Sequence, residues 1–317
     1  MATPAEAAAM RRAIALSAAG LGTTSPNPPV GCVVLDWAGV VVGEGYHERK
    51  GEAHAEAQAL AAAGPLADGA TAVVTLEPCN HQGRTAPCRQ ALIDARVRRV
   101  VIGILDPTSR GGGGAAALRA AGVDVETGVL ADEVRVVLGG WLAALEARRP
   151  VIIWPYVISG RGITALPDGV EAARRLRLNA DAVLRADGSI TEAMPGRHGA
   201  GILDLKDLPA VADAGAAVAS LYEGGVRRLL LDGGPELAAP FLSAGLVDRV
   251  LAYLAVGEAS RRPGGALPWP LLPPGFAITA AWRVDGFVRI TGQLEQIRLA
   301  GRFSAVHDDR PVGVPGR

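Results

Sequence analysis

The chain has 317 residues, 49% of them hydrophobic, which is enough for more than one core and suggests about two domains. Lysine plus arginine and aspartate plus glutamate both total 32, so the formal net charge is zero. That balance argues against a broad nucleic-acid or anionic-membrane surface and leaves room for one local basic pocket. No 18-residue uncharged apolar run is present and no basic segment precedes an apolar core at the N-terminus, so a soluble, cytoplasmic protein is expected, without nucleic-acid or membrane partners.

Residues 5–20 place apolar side chains at helical spacing and run to Gly22, which predicts a first helix. The β-branched runs PVGCVVLD and VVVGEGY, separated by WAG, predict strand, turn and strand. AHAEAQALAAAG reads as a helix stopped by Gly64, and TAVVTLE as a strand that delivers the chain to Pro78 and Cys79. A short helix (PCRQALIDAR), a strand (RRVVIGIL), a helix (AAALRAAG) and a strand (VDVETG) follow, and a helix over 131–147 closes the unit. Such alternation predicts a layered α/β domain over residues 1–148.

A second alternation opens at VIIWPYVIS. Helices are expected near 168–178, 208–222 and 235–244, and strands at DAVL, RRLLLDGG and DRVLAYLAV, with two more near 276–284 and 286–294. This gives a second α/β domain over 149–298, with a Pro/Gly-rich loop at 258–275 and a loose tail over 299–317.

Three cysteines in a chain of this length do not make a disulfide framework. Cys32, inside VGCVVL, reads as a small buried apolar residue. Cys79 and Cys88 are different. His54 opens a predicted helix, Cys79 follows a predicted strand, and Cys88 opens another helix. One imidazole and two thiolates supply three zinc ligands of suitable softness and leave a fourth position for water, whose pKa zinc lowers toward neutrality. Glu56, two residues beyond His54, projects about 200° around the helix from it, so it can reach that water without ligating the metal, and can pass a proton to a ring nitrogen and a leaving amine. H-x-E followed by P-C…C is the signature of zinc nucleobase deaminases. A structural zinc site would need a fourth protein ligand, for which His81 is the nearby candidate, and it would leave Glu56 without a role.

The stretches HAEAQAL and VTLEPCNHQGRTAPC resemble the pyrimidine deaminase domain of the bifunctional riboflavin-biosynthesis deaminase–reductase family. Eight residues separate the two thiols here, as in that family's pattern P-C-S/N-H-x-G-K/R-T-x-P-C, where ordinary cytidine-type deaminases have two. The likeness extends to SPNPPVGCVVLD, VGEGYHERKGEAHAE and GILDP and covers residues 5–148. It implies a cytidine-deaminase-like three-layer α/β/α fold and hydrolytic deamination of a diaminopyrimidinone carrying a ribosylamino 5′-phosphate. It also implies one zinc per chain on His54, Cys79 and Cys88, general acid/base duty for Glu56, and substrate contacts from Asn27, His81, Arg84 and Asp106. Arg84 and His81 supply the basic and polar groups that a sugar phosphate wants. Thr108 stands where the family has an asparagine (DPNP), which alters the ribose contacts.

The second half resembles the family's dihydrofolate-reductase-like NADPH domain in EAARRLRLNADAVL and VRRLLLDGGPELAAPFLSAGLVDRVLAYLA. Its site motifs depart. PYVISGRGITA lacks the family's lysine and aspartate, RADGSITEAMP replaces the cofactor loop, and Asp232 replaces a glutamate in E-G-G. The expectation is a shortened domain that keeps its packing, does not use NADPH and persists as a packing or oligomerisation element. A homo-oligomer is implied by the family. The alternative is a fully bifunctional deaminase and NADPH-dependent reductase.

Overall fold

The computed structural model describes residues 1–82, 86–108, 111–160, 162–205, 213–255, 270–284 and 286–294. The chain forms two compact units that divide between Leu138 and Gly139.

The first unit is built on a five-stranded sheet of Gly31–Leu35 (β1), Val41–Tyr46 (β2), Thr71–Leu76 (β3), Arg99–Ile104 (β4) and Asp124–Thr127 (β5), in the order β2-β1-β3-β4-β5. β1 is antiparallel to β2 and β3, while β3, β4 and β5 are parallel. Every residue of β3 is buried, as parallel strands covered on both faces require. The helices are Pro4–Ala18 (α1), Ala55–Ala63 (α2), Cys88–Asp94 (α3), Gly114–Ala120 (α4) and Ala131–Ala147 (α5), whose residues from Gly139 onward belong to the second unit. Cys32, Val34, Val74, Val100 and Ile102 form one core with Ala55 and Ala59 of α2, Leu92 of α3 and Leu118 of α4. On the opposite face Gly31 lies against Ala13 of α1, and Gly103 against Val134 of α5. The result is three layers, α/β/α. Thr3 starts α1 with a capping box, its hydroxyl accepting the Glu6 N–H while the Glu6 carboxylate accepts the Thr3 N–H.

The second unit holds an eight-stranded sheet. Its strands are Val151–Ser159 (β6), Gly162–Ala165 (β7), Ala182–Arg185 (β8), Ile190–Glu192 (β9), Arg228–Asp232 (β10), Arg249–Ala255 (β11), Phe276–Val284 (β12) and Phe287–Leu294 (β13). They run β12-β13-β11-β6-β10-β8-β9, with β7 paired to β6. β11, β6, β10 and β8 are parallel and the outer pairings antiparallel. The helices are Glu171–Leu178 (α6), Ala214–Glu223 (α7) and Pro235–Ser243 (α8). Ile152, Trp154, Tyr156 and Ile158 of β6 face α7 and α8, while Val151, Ile153 and Val157 face α6 and the end of α5.

The elements follow the predicted order, with two additions. β7 and β9 span four and three residues, too short for alternation to register in sequence. β7 has a local cause. β6 pairs with β10 through Ile153 and with β7 from Tyr156 onward, and Pro155, which has no N–H, stands at the change of partner. The expected 258–275 loop falls partly, and the 299–317 tail wholly, outside the described residues.

A buried charged cluster ties the second unit together. His198 is 1% exposed, with Nδ1 2.7 Å from a Glu192 oxygen and Nε2 3.2 Å from an Asp181 oxygen. The other Asp181 oxygen accepts the backbone N–H groups of Arg227 and Arg228 at 2.7 and 2.9 Å. Both ring nitrogens face acceptors, so both carry protons. Burial pulls the imidazole down, but the bonds and charges of Asp181 and Glu192 outweigh it and leave the group raised above its ordinary 6.5. A raised folded-state value contributes stability that is fully present below about pH 6.5 and is lost as pH rises through the folded value. Urea unfolding of the full chain is therefore expected to show a loss of stability on the alkaline side that is absent in His198→Gln. Asp181→Ala, which leaves the imidazolium and two N–H groups without their partner, is expected to cost about 3 kcal/mol.

Candidate active site

Three elements of the first unit deliver three donors to one point. His54 is the N-cap of α2, held extended at φ −72° and ψ 161°. Cys79 follows β3 by way of Glu77 and Pro78, and Cys88 is the first residue of α3. The His54 Nδ1 lies 3.2 Å from the Cys88 sulfur and 3.7 Å from the Cys79 sulfur, and the ligand atoms of all three residues fall within 4.8 Å of one another. The Cys88 backbone N–H donates to the Cys79 sulfur at 3.3 Å.

The approach of α2 depends on the sheet beneath it. Gly45 of β2 lies under the Ala55 carbonyl, and a Cβ there would stand 2.5 Å from that oxygen. Any larger residue would lift the helix start that carries His54 and Glu56.

The two thiols shift each other in opposite directions. Hydrogen bonding from Cys88, reinforced by His54 against burial, pulls the Cys79 thiol down to about 4. The same contact, together with burial, pushes Cys88 up. His54 is raised, chiefly by its bond to Cys79. A thiolate, a thiol that ionises when metal displaces its proton, and an imidazole fit zinc. Among the described residues no fourth His, Cys, Asp or Glu joins the cluster, and His81 is exposed outside it. Three such donors could supply three ligands and leave one position open, the arrangement that catalytic zinc sites use and structural ones do not.

Glu56 lies in the first turn of α2 and is 3% exposed. Burial raises its carboxyl above the ordinary value, opposed by the charge of His54, and it is coupled to both cysteines. His54 is a cap rather than a helical residue, so the two side chains are set by the bend at the helix start and not by 200° of helical rotation.

Asn27 is half-buried, and its Nδ2 is 3.2 Å from Nε2 of His47. The His47 Nδ1 donates to the Ala53 carbonyl at 3.2 Å, so Nε2 is the acceptor and the Asn27 amide is oriented. The His47 ring meets the His54 ring edge-on, with centroids 5.1 Å apart. His47 was not singled out by the sequence, since a lone histidine in VGEGYHERKGE carries no ligand spacing. Asp106 is half-buried and electrostatically coupled to Cys79, and one of its oxygens accepts both the N–H and the hydroxyl of Thr108 at 2.7 Å. Burial raises its carboxyl, with the Thr108 bonds opposing. Arg84 lies outside the described residues.

The comparisons with known proteins agree with this geometry. Residues 4–104 match the cytidine and deoxycytidylate deaminase zinc-binding region, and residues 174–263 match the RibD C-terminal domain. The chain is 40% identical over 274 residues to riboflavin biosynthesis protein RibD of Mycobacterium tuberculosis, covering 74% of this chain and 80% of that one. The chain belongs to the RibD family. To the diaminohydroxyphosphoribosylamino-pyrimidine deaminase of Buchnera aphidicola this chain is 46% identical over 142 residues, or 44% of its own length and 96% of the relative's. The crystal structure of a Thermotoga maritima diaminohydroxyphosphoribosylaminopyrimidine deaminase/5-amino-6-(5-phosphoribosylamino)uracil reductase superposes with a TM-score of 0.71 at 25% identity, covering 92% of this chain and 99% of that one. The first unit is thus a cytidine-deaminase-like, zinc-binding hydrolase domain and the second a RibD-type reductase-like domain. Among the described residues no helix is long and apolar enough to cross a membrane.

Proposed function

We propose that the first unit hydrolyses the amino group of a diaminopyrimidinone ribosylamino 5′-phosphate, giving the aminouracil and ammonia. The observation that carries this reading is the three-donor cluster of His54, Cys79 and Cys88 with Glu56 buried beside it. His54, Cys79 and Cys88 would hold zinc, which would supply a water of near-neutral pKa as the nucleophile. Glu56 takes a proton from the attacking water and delivers it to the ring nitrogen as the new carbon–oxygen bond forms. Glu56 then takes the remaining proton from the added hydroxyl and passes it to the departing amine, so the carbon–nitrogen bond breaks and ammonia leaves as the ring carbonyl forms. Asn27, oriented by His47, offers its amide oxygen to the substrate, and His81, Arg84 and Asp106 are the further proposed contacts. The test is zinc content together with ammonia release on the phosphorylated diaminopyrimidine and on its unphosphorylated counterpart. Zinc at one per chain and turnover of the phosphorylated compound are expected, and no ammonia from either compound would overturn the reading.

The proposal includes loss of reductase activity in the second unit. Missing lysine and aspartate side chains in PYVISGRGITA support it, as does the engagement of Asp232, at the end of β10, in an ion pair with Arg177 at 2.6 Å. The match of residues 174–263 to the RibD C-terminal domain favours a second reading, in which both units work. NADPH titration separates them, because saturable binding with NADPH oxidation on the deaminated intermediate would establish the bifunctional enzyme.

A further inference from the structure

Glu77 belongs to the run TLEPC, yet the reaction above gives it no role. It is 6% exposed. One carboxylate oxygen accepts the Asp106 N–H at 3.1 Å and the other accepts the Ala115 N–H at 2.8 Å. Its own N–H donates to the Ile104 carbonyl at 2.9 Å. A single side chain at the end of β3 thus grips both ends of the segment that joins β4 to α4.

Between those ends the segment is tied to itself and to the metal-ligand loop. The Thr108 hydroxyl donates to Asp106 and accepts the Gly111 N–H at 3.1 Å, and the Thr108 carbonyl accepts the Gly112 N–H at 3.0 Å. The Asn80 N–H donates to the Gly111 carbonyl at 3.3 Å. Gly114 sits so close to the Pro78 carbonyl that a Cβ would lie 1.9 Å from its oxygen, so only glycine allows the contact. The residues on either side of Cys79 therefore form the bed on which this segment lies.

We propose that Glu77 is a positioning residue that fixes residues 106–108 and 111–115 against the strand end presenting Cys79, and so sets where Asp106 stands relative to the metal-donor cluster. A buried carboxylate whose two oxygens serve backbone N–H groups from two separate segments has no isosteric substitute. Glutamine keeps one acceptor but turns an NH2 toward the second N–H, so two donors face each other.

The kinetic readout of this proposal rests on the deaminase reading, and its exchange readout does not. In zinc-loaded, full-length Glu77→Gln, KM for the phosphorylated diaminopyrimidine is expected to rise about tenfold with kcat within about threefold of wild type. Amide hydrogen exchange at Asp106 and Ala115 is expected to be at least about tenfold faster. Zinc should remain at one per chain, and the visible bands of the cobalt-substituted protein should be unchanged. A lowered melting temperature without the KM change would make Glu77 merely structural and overturn the proposal. Unchanged exchange at both amides would overturn it too, and so would lost zinc or shifted cobalt bands. If wild type releases no ammonia the deaminase reading fails, while the exchange comparison still decides the clamp. Should Glu77→Gln not fold, Thr108→Val removes the hydroxyl's bonds to Asp106 and Gly111 while keeping the backbone N–H bond to Asp106. It is expected to raise KM in the same way, and an unchanged KM there would overturn the proposal.

Discussion

Glu56→Gln is expected to lower kcat for ammonia release by about 10²–10⁴-fold while zinc stays at one per chain. Glutamine fills the same buried space in the first turn of α2, so the helix and the His54 cap should keep their places. What it cannot do is accept a proton from water and return it. The other acidic groups near the cluster are committed elsewhere, Asp106 to Thr108 and Glu77 to two backbone N–H groups. Among the described residues, the metal-donor cluster itself contains no carboxylate. Metal analysis and single-turnover ammonia assays on the same preparation separate loss of chemistry from loss of zinc. Full turnover by Glu56→Gln would show that the proton travels by another route.

The metal ligands were legible in the sequence because their residue types are chemically narrow. Two cysteines and a histidine at element ends, in a chain with a single further cysteine, admit few readings. The strands of the first unit were legible because their runs were β-branched, such as TAVVTL and RVVIGI, while their order in the sheet was not. What escaped is what depends on distant parts of the chain meeting. His198 gains its importance from Asp181 and Glu192, and Asp181 in turn from the N–H groups of Arg227 and Arg228. Glu77 lay in the motif in plain view, but its partners, 29 and 38 residues away, are backbone groups with no sequence signal. His47 is similar, since its value lies in an edge contact with His54 and a bond to Asn27. Helical geometry misplaced one detail, because His54 caps α2 in an extended conformation and the rotation between it and Glu56 is not that of a helix. At Pro155 a single missing N–H redirects a sheet partner, a consequence visible only once β7 and β10 are known to compete for the same edge of β6.

Cys88→Ser and Cys79→Ser are each expected to reduce bound zinc from one per chain to near zero after dialysis, and to abolish ammonia release with it. Three candidate donors cluster among the described residues, so losing a thiolate would leave two, too few for a tight site. Serine cannot substitute, because its hydroxyl does not ionise near neutral pH and is a poor partner for zinc. Cys32 is the internal control. Its sulfur is fully buried in β1, and burial, reinforced by the charge of Glu56, pushes its thiol well above the ordinary value. Its sulfur also lies outside the donor cluster, so Cys32→Ala should keep its zinc with at most a modest loss of stability. Chelation of wild type should reproduce the serine variants, and re-adding zinc should restore wild type and not the variants. Metal that binds the folded chain and not the unfolded one also stabilises it, by about 4 kcal/mol at a thousandfold excess over Kd. The wild-type melting temperature should thus fall on chelation, while those of the serine variants should not move. Retained zinc in Cys88→Ser would mean that a ligand beyond these three completes the site, and the open position on which the deaminase reading depends would be closed.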